Sequence, residues 1–287
     1  MKHVSVLLAE TVEFLKVRPG GIYLDATLGG GGHTKKILET EKDCKVIALD
    51  RDLKAIEIAK ENLKEFENRV SFFNLNFRRL DEALGETKID GALFDLGVSS
   101  FQLDDAGRGF SFREAAPLDM RMGSDAKYDA GALVNELPQE DLEKLIRTLG
   151  EENFAGRIAR VIVETRKVKR IDTTIELAEA IKKAVPSFYR HGKIHPATRS
   201  FQALRITVND ELGALKEGLV KASASLTSGG RLCVISFHSM EDRIVKEFVK
   251  GECTLEPVTK KPLIPSDSET AENRRSRSAK LRVAEKK

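Results

Sequence analysis

The residues best suited to binding a small charged ligand lie in the stretch 25–34, which reads DATLGGGGHT. Four consecutive glycines, Gly29–Gly32, follow a short apolar segment, and His33 leads from them into a helical run. A strand that ends in glycines and continues as a helix forms a ligand site at the carboxyl edge of an open α/β sheet. Glycine lets a ligand approach the backbone, and the start of the helix offers N–H groups. We therefore predict that this loop binds a ligand.

The nature of the ligand follows from the glycine spacing and from Asp50. Thr34 stands where the dinucleotide fingerprint needs its third glycine, and no Gly-Lys-Ser/Thr follows the loop, so a pyrophosphate is disfavoured. Asp50 ends a second apolar segment, 45–49, and lies 21 residues after Gly29. A carboxylate about 20 residues beyond such a loop binds ribose hydroxyls in nucleoside-binding folds. The pair predicts an adenosine ligand without a diphosphate, such as S-adenosylmethionine; a tight turn with Asp50 as a helix cap is the alternative.

Two further residues are candidates for this edge of the sheet. Asp95 ends the segment 90–96, whose nearly continuous apolar character is typical of a strand buried on both faces. Its carboxylate could take part in chemistry or could close a loop by accepting backbone N–H groups. Phe77 follows a predicted strand at 70–73 and could stack on an adenine, or it could be an ordinary core residue.

The elements that position these residues alternate between strand and helix as far as residue 100. Residues 101–132 are irregular and rich in glycine, and helices then predominate, including 139–149 and 154–169. A capping box of Thr173 and Glu176 begins another helix, and the leucine spacing predicts one long helix from His195 to Leu226. A buried strand at 231–237 resumes the α/β pattern. We predict a sheet domain formed by 1–107 and 208–287, with a helical domain, 108–207, inserted into it.

Charge is unevenly distributed along the chain. The 287 residues carry a net charge of only +3, but between Phe154 and Arg205 there are 12 Lys or Arg and 4 Asp or Glu. A block this basic beside a nucleoside-type site predicts a nucleic-acid phosphate backbone as the partner. The alternative is a solvated helical surface.

The cysteines and the N-terminal sequence bear on the compartment. Cys44, Cys233 and Cys253 are far apart and odd in number, which is typical of reduced cysteines and offers no metal spacing. No signal peptide or membrane-length apolar run is present, so we expect a cytoplasmic protein without a metal.

The C-terminal third contains two features that invite a functional interpretation. His238, Ser239 and Asp242 resemble a hydrolase triad, but no G-x-S-x-G precedes them, and Ser239 is better interpreted as a helix N-cap. The tail from Ser266 is expected to be mobile as far as a possible last strand at 279–284. Its arginines could bind phosphates or only keep the tail soluble.

Several long motifs occur in a fixed order along nearly the whole chain. They are HVSVLLAE at 3–10, DATLGGGGHT at 25–34, DLGVSS at 95–100, RGFSF at 108–112, PLDMRM at 117–122, HPATRSFQALRI at 195–206 and GGRLCVISFHSMEDRIVK at 229–246. With these motifs the sequence resembles the bacterial 16S ribosomal RNA cytosine-N4 methyltransferase family, RsmH (MraW). One departure is Arg274, where the family usually has a proline after the asparagine.

The resemblance implies an S-adenosylmethionine-dependent methyltransferase with a Rossmann-like α/β sheet and an inserted helical domain for RNA recognition. It implies N4-methylation of one cytidine in the decoding region of 16S rRNA in the 30S subunit, with no membrane or DNA partner. Monomer and homodimer both remain open. The cofactor-binding residues carried over by motif are Gly31, Gly32, His33, Asp50, Phe77, Asp95 and Gln102.

Asp95 is also our candidate catalytic residue. The cytosine amine is a weak nucleophile because its lone pair is delocalised into the ring, and a hydrogen-bond acceptor at the end of the strand would help to localise it. Asp95 could instead only hold the cofactor. Two other classes of protein are weighed against this hypothesis: a nicotinamide-dependent oxidoreductase, which the failed fingerprint disfavours, and a non-catalytic RNA-binding or assembly factor.

Overall fold

A computed structural model describes residues 5–192 and 194–287 of the chain. The strands are β1 (Ile22–Asp25), β2 (Lys45–Asp50), β3 (Val70–Asn74), β4 (Ile89–Asp95), β5 (Leu226–Ser236), β6 (Leu255–Pro257) and β7 (Lys280–Lys286). The helices are α1 (Leu8–Leu15), α2 (Gly32–Thr40), α3 (Leu53–Asn62), α4 (Leu80–Leu84), α5 (Ser100–Asp104), α6 (Ala130–Glu136), α7 (Gln139–Gly150), α8 (Ala155–Val168), α9 (Thr174–Ala184), α10 (Ser187–Arg190), α11 (Thr198–Asn209), α12 (Glu211–Ser225), α13 (Ser239–Gly251) and α14 (Asp267–Glu272). Short 3-10 helices lie at Lys64–Arg69, Phe77–Arg79, Ala106–Arg108 and Arg274–Ser278.

The strands form one seven-stranded sheet in the order β3-β2-β1-β4-β5-β7-β6. The pairs from β3 to β5 are parallel, whereas β7 runs antiparallel to both β5 and β6. The chain moves outward from β1 to β3 and then returns to place β4 on the other side of β1. Ligands bind at such a switch point in open α/β sheets, outside the carboxyl ends of the strands. The predicted Rossmann-like α/β sheet is confirmed.

Alternate residues of each central strand enter two different apolar cores, as the two-residue period of a strand requires. Tyr23, Leu93 and Cys233 belong to one core, together with side chains of α1, α2 and α3. Leu24 and Phe94 belong to the other, which α4, α12 and α13 cover. Both faces of the sheet are thus buried, which explains the nearly continuous apolar sequence of β4.

The chain divides into two compact units, Met1–Ser99 with Leu212–Lys287 and Ser100–Glu211. The first unit contains the whole sheet. The second is helical, and the insertion predicted at 108–207 lies inside it. Its core is formed by buried side chains such as Leu142, Ile146, Ile158, Ile162 and Leu204.

In the irregular segment near the start of the helical unit, side chains form hydrogen bonds with backbone groups that a helix or strand would pair with other backbone groups. Asn209 accepts from the Met122 amide at 2.9 Å and donates to the Met120 carbonyl at 2.8 Å. Thr174 Oγ1 accepts from the Ala116 amide at 3.1 Å and donates to the Glu114 carbonyl at 2.7 Å. These bonds give the segment a defined course without secondary structure of its own.

The single helix predicted from His195 to Leu226 is wrong. Asp210 adopts a left-handed conformation with φ of 45° and separates α11 from α12. The Arg205 guanidinium spans the break with two bonds to the Glu211 carboxylate, at 2.8 and 2.9 Å. Leu226 belongs to β5. The leucine spacing continues across the break, because one residue in a left-handed conformation does not change the spacing of apolar residues along the sequence.

The tail contains more regular structure than its polar sequence indicates. The segment 266–278 contains α14 and a 3-10 helix, and Glu269 anchors it by accepting from the Leu7 amide at 2.8 Å. The last strand predicted at 279–284 is confirmed as β7, which pairs on both sides. The short strand β6 was not predicted.

Candidate active site

The glycine loop connects β1 to α2 at the switch point of the sheet. Gly29 and Gly31 have positive φ values of 52° and 82°, which glycine adopts without steric cost. A Cβ on Gly31 would come within 2.9 Å of Leu63, and one on Gly32 would overlap the Ser5 hydroxyl. Gly31 and Gly32 are therefore required by packing within the protein, whereas a Cβ on Gly29 would come no closer than 4.0 Å to its nearest described neighbour, the Thr27 carbonyl oxygen.

Asp50 lies at the carboxyl end of β2 and is directly bonded to the glycine loop. Its Oδ2 accepts from the Gly29 amide at 2.8 Å, and its Oδ1 accepts from the Asp52 amide at 2.8 Å. Asp52, and not Asp50, caps α3. Burial raises the pKa of Asp50 to about 6 even though both backbone bonds favour the carboxylate. The structure thus brings together the glycine and the carboxylate that the sequence paired across 21 positions.

Asp25 is a third carboxylate at this edge, which the sequence analysis did not single out as a candidate. It ends β1, is only 1% exposed, and accepts from Thr34 Oγ1 at 2.7 Å and from the Thr27 amide at 3.2 Å. Burial raises its pKa to about 6. The available signal was a charged residue at the end of an apolar strand, directly before the glycine loop.

Asp95 ends β4, next to β1. Its amide donates to Thr27 Oγ1 at 2.6 Å, and its Oδ2 lies 3.6 Å from His33 Nδ1. Its Oδ1 is buried and has no hydrogen-bond partner in the part of the chain that the structure describes. Burial, followed by the charges of Asp25 and Glu241, raises the pKa of Asp95 well above its usual value. A buried carboxylate oxygen without a partner is costly, so this atom marks a position where a ligand group would be stabilised.

His33 occupies the first turn of α2 and is 5% exposed. Its Nε2 lies 3.2 Å from the Val6 carbonyl, which orients the ring so that Nδ1 faces Asp95. The predicted site residues Gly31, Gly32, His33, Asp50 and Asp95 thus lie together at one edge of the sheet.

The other two predicted site residues, Phe77 and Gln102, lie in different surroundings from these five. Phe77 packs edge-on against Phe94, with ring centroids 5.5 Å apart, and touches the backbone side of α12 at Gly218, yet it remains partly exposed. Both interpretations of Phe77 therefore keep some support. Gln102 lies in α5 of the helical unit and is 6% exposed.

The residues that resemble a hydrolase triad have structural roles. His238, and not Ser239, is the N-cap of α13, where it forms a capping box with Glu241; the predicted cap was therefore wrong by one residue. Asp242 binds Arg282 at 2.7 Å and Lys280 at 3.2 Å. These ion pairs occupy the carboxylate that a triad would need for its histidine.

The family of the protein follows from comparison with known sequences. The model of the MraW methylase family matches residues 1–287. The chain belongs to the MraW methylase family. The glycine loop and the carboxylates at the ends of β1, β2 and β4 are thus the candidate site of an MraW-family methylase.

Named relatives cover nearly the whole MraW-family chain. Ribosomal RNA small subunit methyltransferase H of Synechococcus elongatus is 52% identical over 99% of this chain and 94% of its own length. The protein of the same name in Clostridioides difficile is 48% identical over 99% of this chain and 98% of its own length. Among solved structures, an rRNA methylase from Streptococcus thermophilus is 15% identical with a TM-score of 0.48, covering 100% of this chain and 98% of that one. The family assignment rests on the sequence matches.

Among the residues that the structure describes, no helix combines the length and the apolar character needed to cross a bilayer.

Proposed function

We propose that this MraW-family protein transfers a methyl group from S-adenosylmethionine to N4 of a cytidine in the decoding region of small-subunit ribosomal RNA. Its relatives in Synechococcus and Clostridioides carry the name of small-subunit rRNA methyltransferases and align over 99% of the chain. The observation that carries the chemistry is the buried Oδ1 of Asp95 beside the glycine loop, which has no hydrogen-bond partner among the described residues. An rRNA substrate also supports a cytoplasmic location.

The residues at the sheet edge fit a cofactor that combines an adenosine with a cationic centre. Asp25, Asp50 and Asp95 end three neighbouring strands, and carboxylates suit both ribose hydroxyls and a positive charge. A diphosphate fits poorly, because Lys35, the nearest cation along the chain, pairs with Glu65 at 2.9 Å. S-adenosylmethionine supplies a methyl group activated on a sulfonium.

Within this proposal the loop and Asp50 bind the nucleoside portion. The loop presents backbone at Gly29–Gly32, and Gly31 and Gly32 have no room for side chains. Asp50 is held at Gly29 and Asp52, so its carboxylate has a fixed position toward ribose hydroxyls. The exposed part of Phe77 is available to an adenine. We place Gln102 at the same cofactor on the resemblance of its motif alone.

Asp95 acts on the amine of the cytosine. A carboxylate oxygen that accepts one N–H bond draws the nitrogen lone pair out of the ring and makes the amine a better nucleophile. The new N–C bond would form as the methyl–sulfur bond breaks, with the electron pair of that bond left on the sulfur of the departing thioether. The amine must also lose a proton, and Asp95 Oδ1 is the atom that would accept it. The target cytidine must leave any stack to reach this buried edge.

The inserted helical domain, 108–207, is proposed to hold the RNA backbone, but not all of its basic residues are equally suited. Arg166 donates to the carbonyls of Val134 and Leu137, at 2.7 and 2.6 Å, and so ties α8 to the end of α6. Lys169 pairs with Glu176. Lys167 is exposed and has no ion pair within the described ranges, so it suits phosphate binding better.

Methyl transfer tests the function directly. Purified small subunits that lack the modification are incubated with the enzyme and labelled S-adenosylmethionine, and the labelled nucleoside is then identified. We expect the label in N4-methylcytidine and a loss of transfer with Asp95→Asn. Label in another nucleoside would overturn the position of the methyl group, and binding of the cofactor without transfer to subunits or naked RNA would favour a non-catalytic factor.

A further inference from the structure

A groove beside the candidate site is formed by the segment that was expected to be mobile. It has a volume of about 1090 Å³ and lies between the end of β5 and the chain from Ile264 to Lys280. Small-molecule sites occupy roughly 300–1,000 Å³, so this groove is large enough for a stretch of polymer. All of its walls belong to the unit that contains the sheet.

The groove begins just beyond the end of β5, the strand that pairs with β4 at Asp95. Within the sheet, Asp95 lies opposite Ile235 of β5, and the groove wall begins two residues later at Phe237. A Cβ on Gly97 would lie 3.4 Å from the Phe237 ring. The half-buried Phe237 therefore lies between the end of β4 and the groove, where it can contact a base or sugar that leads away from Asp95.

The wall formed by the chain from Ile264 to Lys280 carries two arginines that form no ion pair among the described residues. Arg274 and Arg277 are exposed, and neither forms an ion pair with any residue of 5–192 or 194–287. Lys280 and Arg282, which follow in β7, are instead both paired with Asp242. The only carboxylate among the groove-lining residues that the structure describes is that of Asp267. The wall thus carries a net positive charge.

The segment that bears the two arginines is fixed in place. Glu269 accepts from the Leu7 amide, and Leu263 forms an antiparallel bridge with Leu281 of β7. The Asn273 side chain caps the 3-10 helix Arg274–Ser278 by accepting from the Arg275 amide at 3.2 Å. Two arginines on a rigid turn lose less entropy on binding an anion than arginines on a mobile tail.

We propose that this groove binds a single-stranded segment of the RNA substrate adjacent to the target nucleotide, with Arg274 and Arg277 on its phosphates. The proposal rests on the proposed function. Arginine matches phosphate geometry with paired N–H donors, and an aromatic side chain beside a cationic wall is the combination by which single strands are bound without sequence readout. Ile264, which is 69% exposed at the rim, adds apolar surface for a sugar or base.

The test compares Arg274→Ala/Arg277→Ala with a control that removes the same charge elsewhere. Lys42→Ala/Lys45→Ala serves as the control, because both lysines are exposed and lie at the amino end of β2, the opposite edge of the sheet. Binding of a labelled single-stranded 16S rRNA fragment is measured at several salt concentrations, and S-adenosylmethionine binding reports whether each variant is folded.

We expect the arginine variant to lose about tenfold in RNA affinity at low salt while S-adenosylmethionine binding is unchanged. The slope of log affinity against log salt should fall by roughly 1.4, because each phosphate contact to a single strand contributes about 0.7. An arginine variant that behaves like the lysine control would overturn the groove assignment. That result would leave the proposed function intact, because methyl transfer by the wild type is measured separately. Weaker binding to intact subunits alone, with unchanged binding to the RNA fragment, would assign the groove to a ribosomal protein and also overturn the proposal.

Discussion

The Nδ1 atom of His33 lies 3.6 Å from Oδ2 of Asp95, and its Nε2 atom lies 3.2 Å from the Val6 carbonyl. Because a carbonyl only accepts, Nε2 must carry a hydrogen. Nδ1 then faces the carboxyl with either a lone pair or a second proton. The separation of 3.6 Å is longer than a hydrogen bond, so the interaction between Nδ1 and the Asp95 carboxyl is electrostatic. Burial, followed by the charges of Asp25 and Glu241, raises the pKa of Asp95 well above its usual value.

The first prediction concerns the pH dependence of catalysis. Asp95 can accept a proton from the amine only when it is ionised, and its pKa is raised. The turnover number should therefore rise with pH through the pKa of Asp95 in the enzyme–substrate complex. Asp95→Asn should lower turnover by roughly 10² or more and abolish this acidic limb, with a smaller change in cofactor affinity. Rates under saturating substrate from pH 5 to 9 provide the measurement.

Asp43→Asn is the matched control for this change, since Asp43 is exposed on the turn before β2. It should retain both the rate and the pH profile of the wild type. If Asp95→Asn instead abolished cofactor binding at undiminished turnover per bound complex, Asp95 would belong to the cofactor pocket alone.

The second prediction concerns the charge of the cofactor. Burial raises the pKa values of Asp25 and Asp50 to about 6, and that of Asp95 well above its usual value, so these groups gain protons as the pH falls. A sulfonium favours the ionised forms, whereas the thioether of S-adenosylhomocysteine carries no such charge. Affinity for S-adenosylmethionine should rise several-fold from pH 5 to 8, and that for S-adenosylhomocysteine should rise less. Calorimetric titrations with both ligands would show this, and parallel pH curves would contradict it.

The third prediction separates structural from RNA-binding cations in the helical unit. Arg166→Ala should destabilise the protein by about 1–3 kcal/mol, because the Val134 and Leu137 carbonyls lose a charged donor. Lys167→Ala, on the neighbouring exposed position, should leave the free energy of unfolding unchanged and reduce the salt dependence of RNA binding. Urea unfolding and RNA titrations on both variants distinguish the two roles. Equal effects of the two substitutions on RNA binding would contradict this separation.

The fourth prediction concerns the reason for Gly32. A Cβ at this position would overlap the Ser5 hydroxyl, so Gly32→Ala should lower the melting temperature by several degrees. The double variant Ser5→Ala/Gly32→Ala should recover most of that loss, because removal of the Ser5 hydroxyl leaves room for the new methyl group. Its affinity for S-adenosylmethionine should stay within a few-fold of wild type. A stable double variant that no longer binds the cofactor would show that the ligand itself needs the space.

Much of the sheet could be predicted from the sequence, because strands buried on both faces leave unmistakable apolar runs, as in β4. The pairing of Gly29 with Asp50 was also predictable, since parallel strands bring residues that follow them to one edge. The break at Asp210 was not, because one left-handed residue leaves the leucine period intact. The contact between Gly32 and Ser5 was equally hidden, since it joins the glycine loop to a segment 27 residues earlier.

The position of β7 between β5 and β6 has a consequence for how the protein is made. The strand β7, at Lys280–Lys286, lies between β5 and β6. The strand β5 can pair with β4 only after the helical unit, which separates the two strands in the sequence, has been synthesised. Helical units with local contacts form early, whereas sheets built from distant strands form late. Asp25, Asp50 and Asp95 are all translated within the first third of the chain, yet the sheet that carries them is complete only once β7 has paired with β5 and β6. The nascent chain should thus acquire methylating activity in a single late step and not gradually as it lengthens.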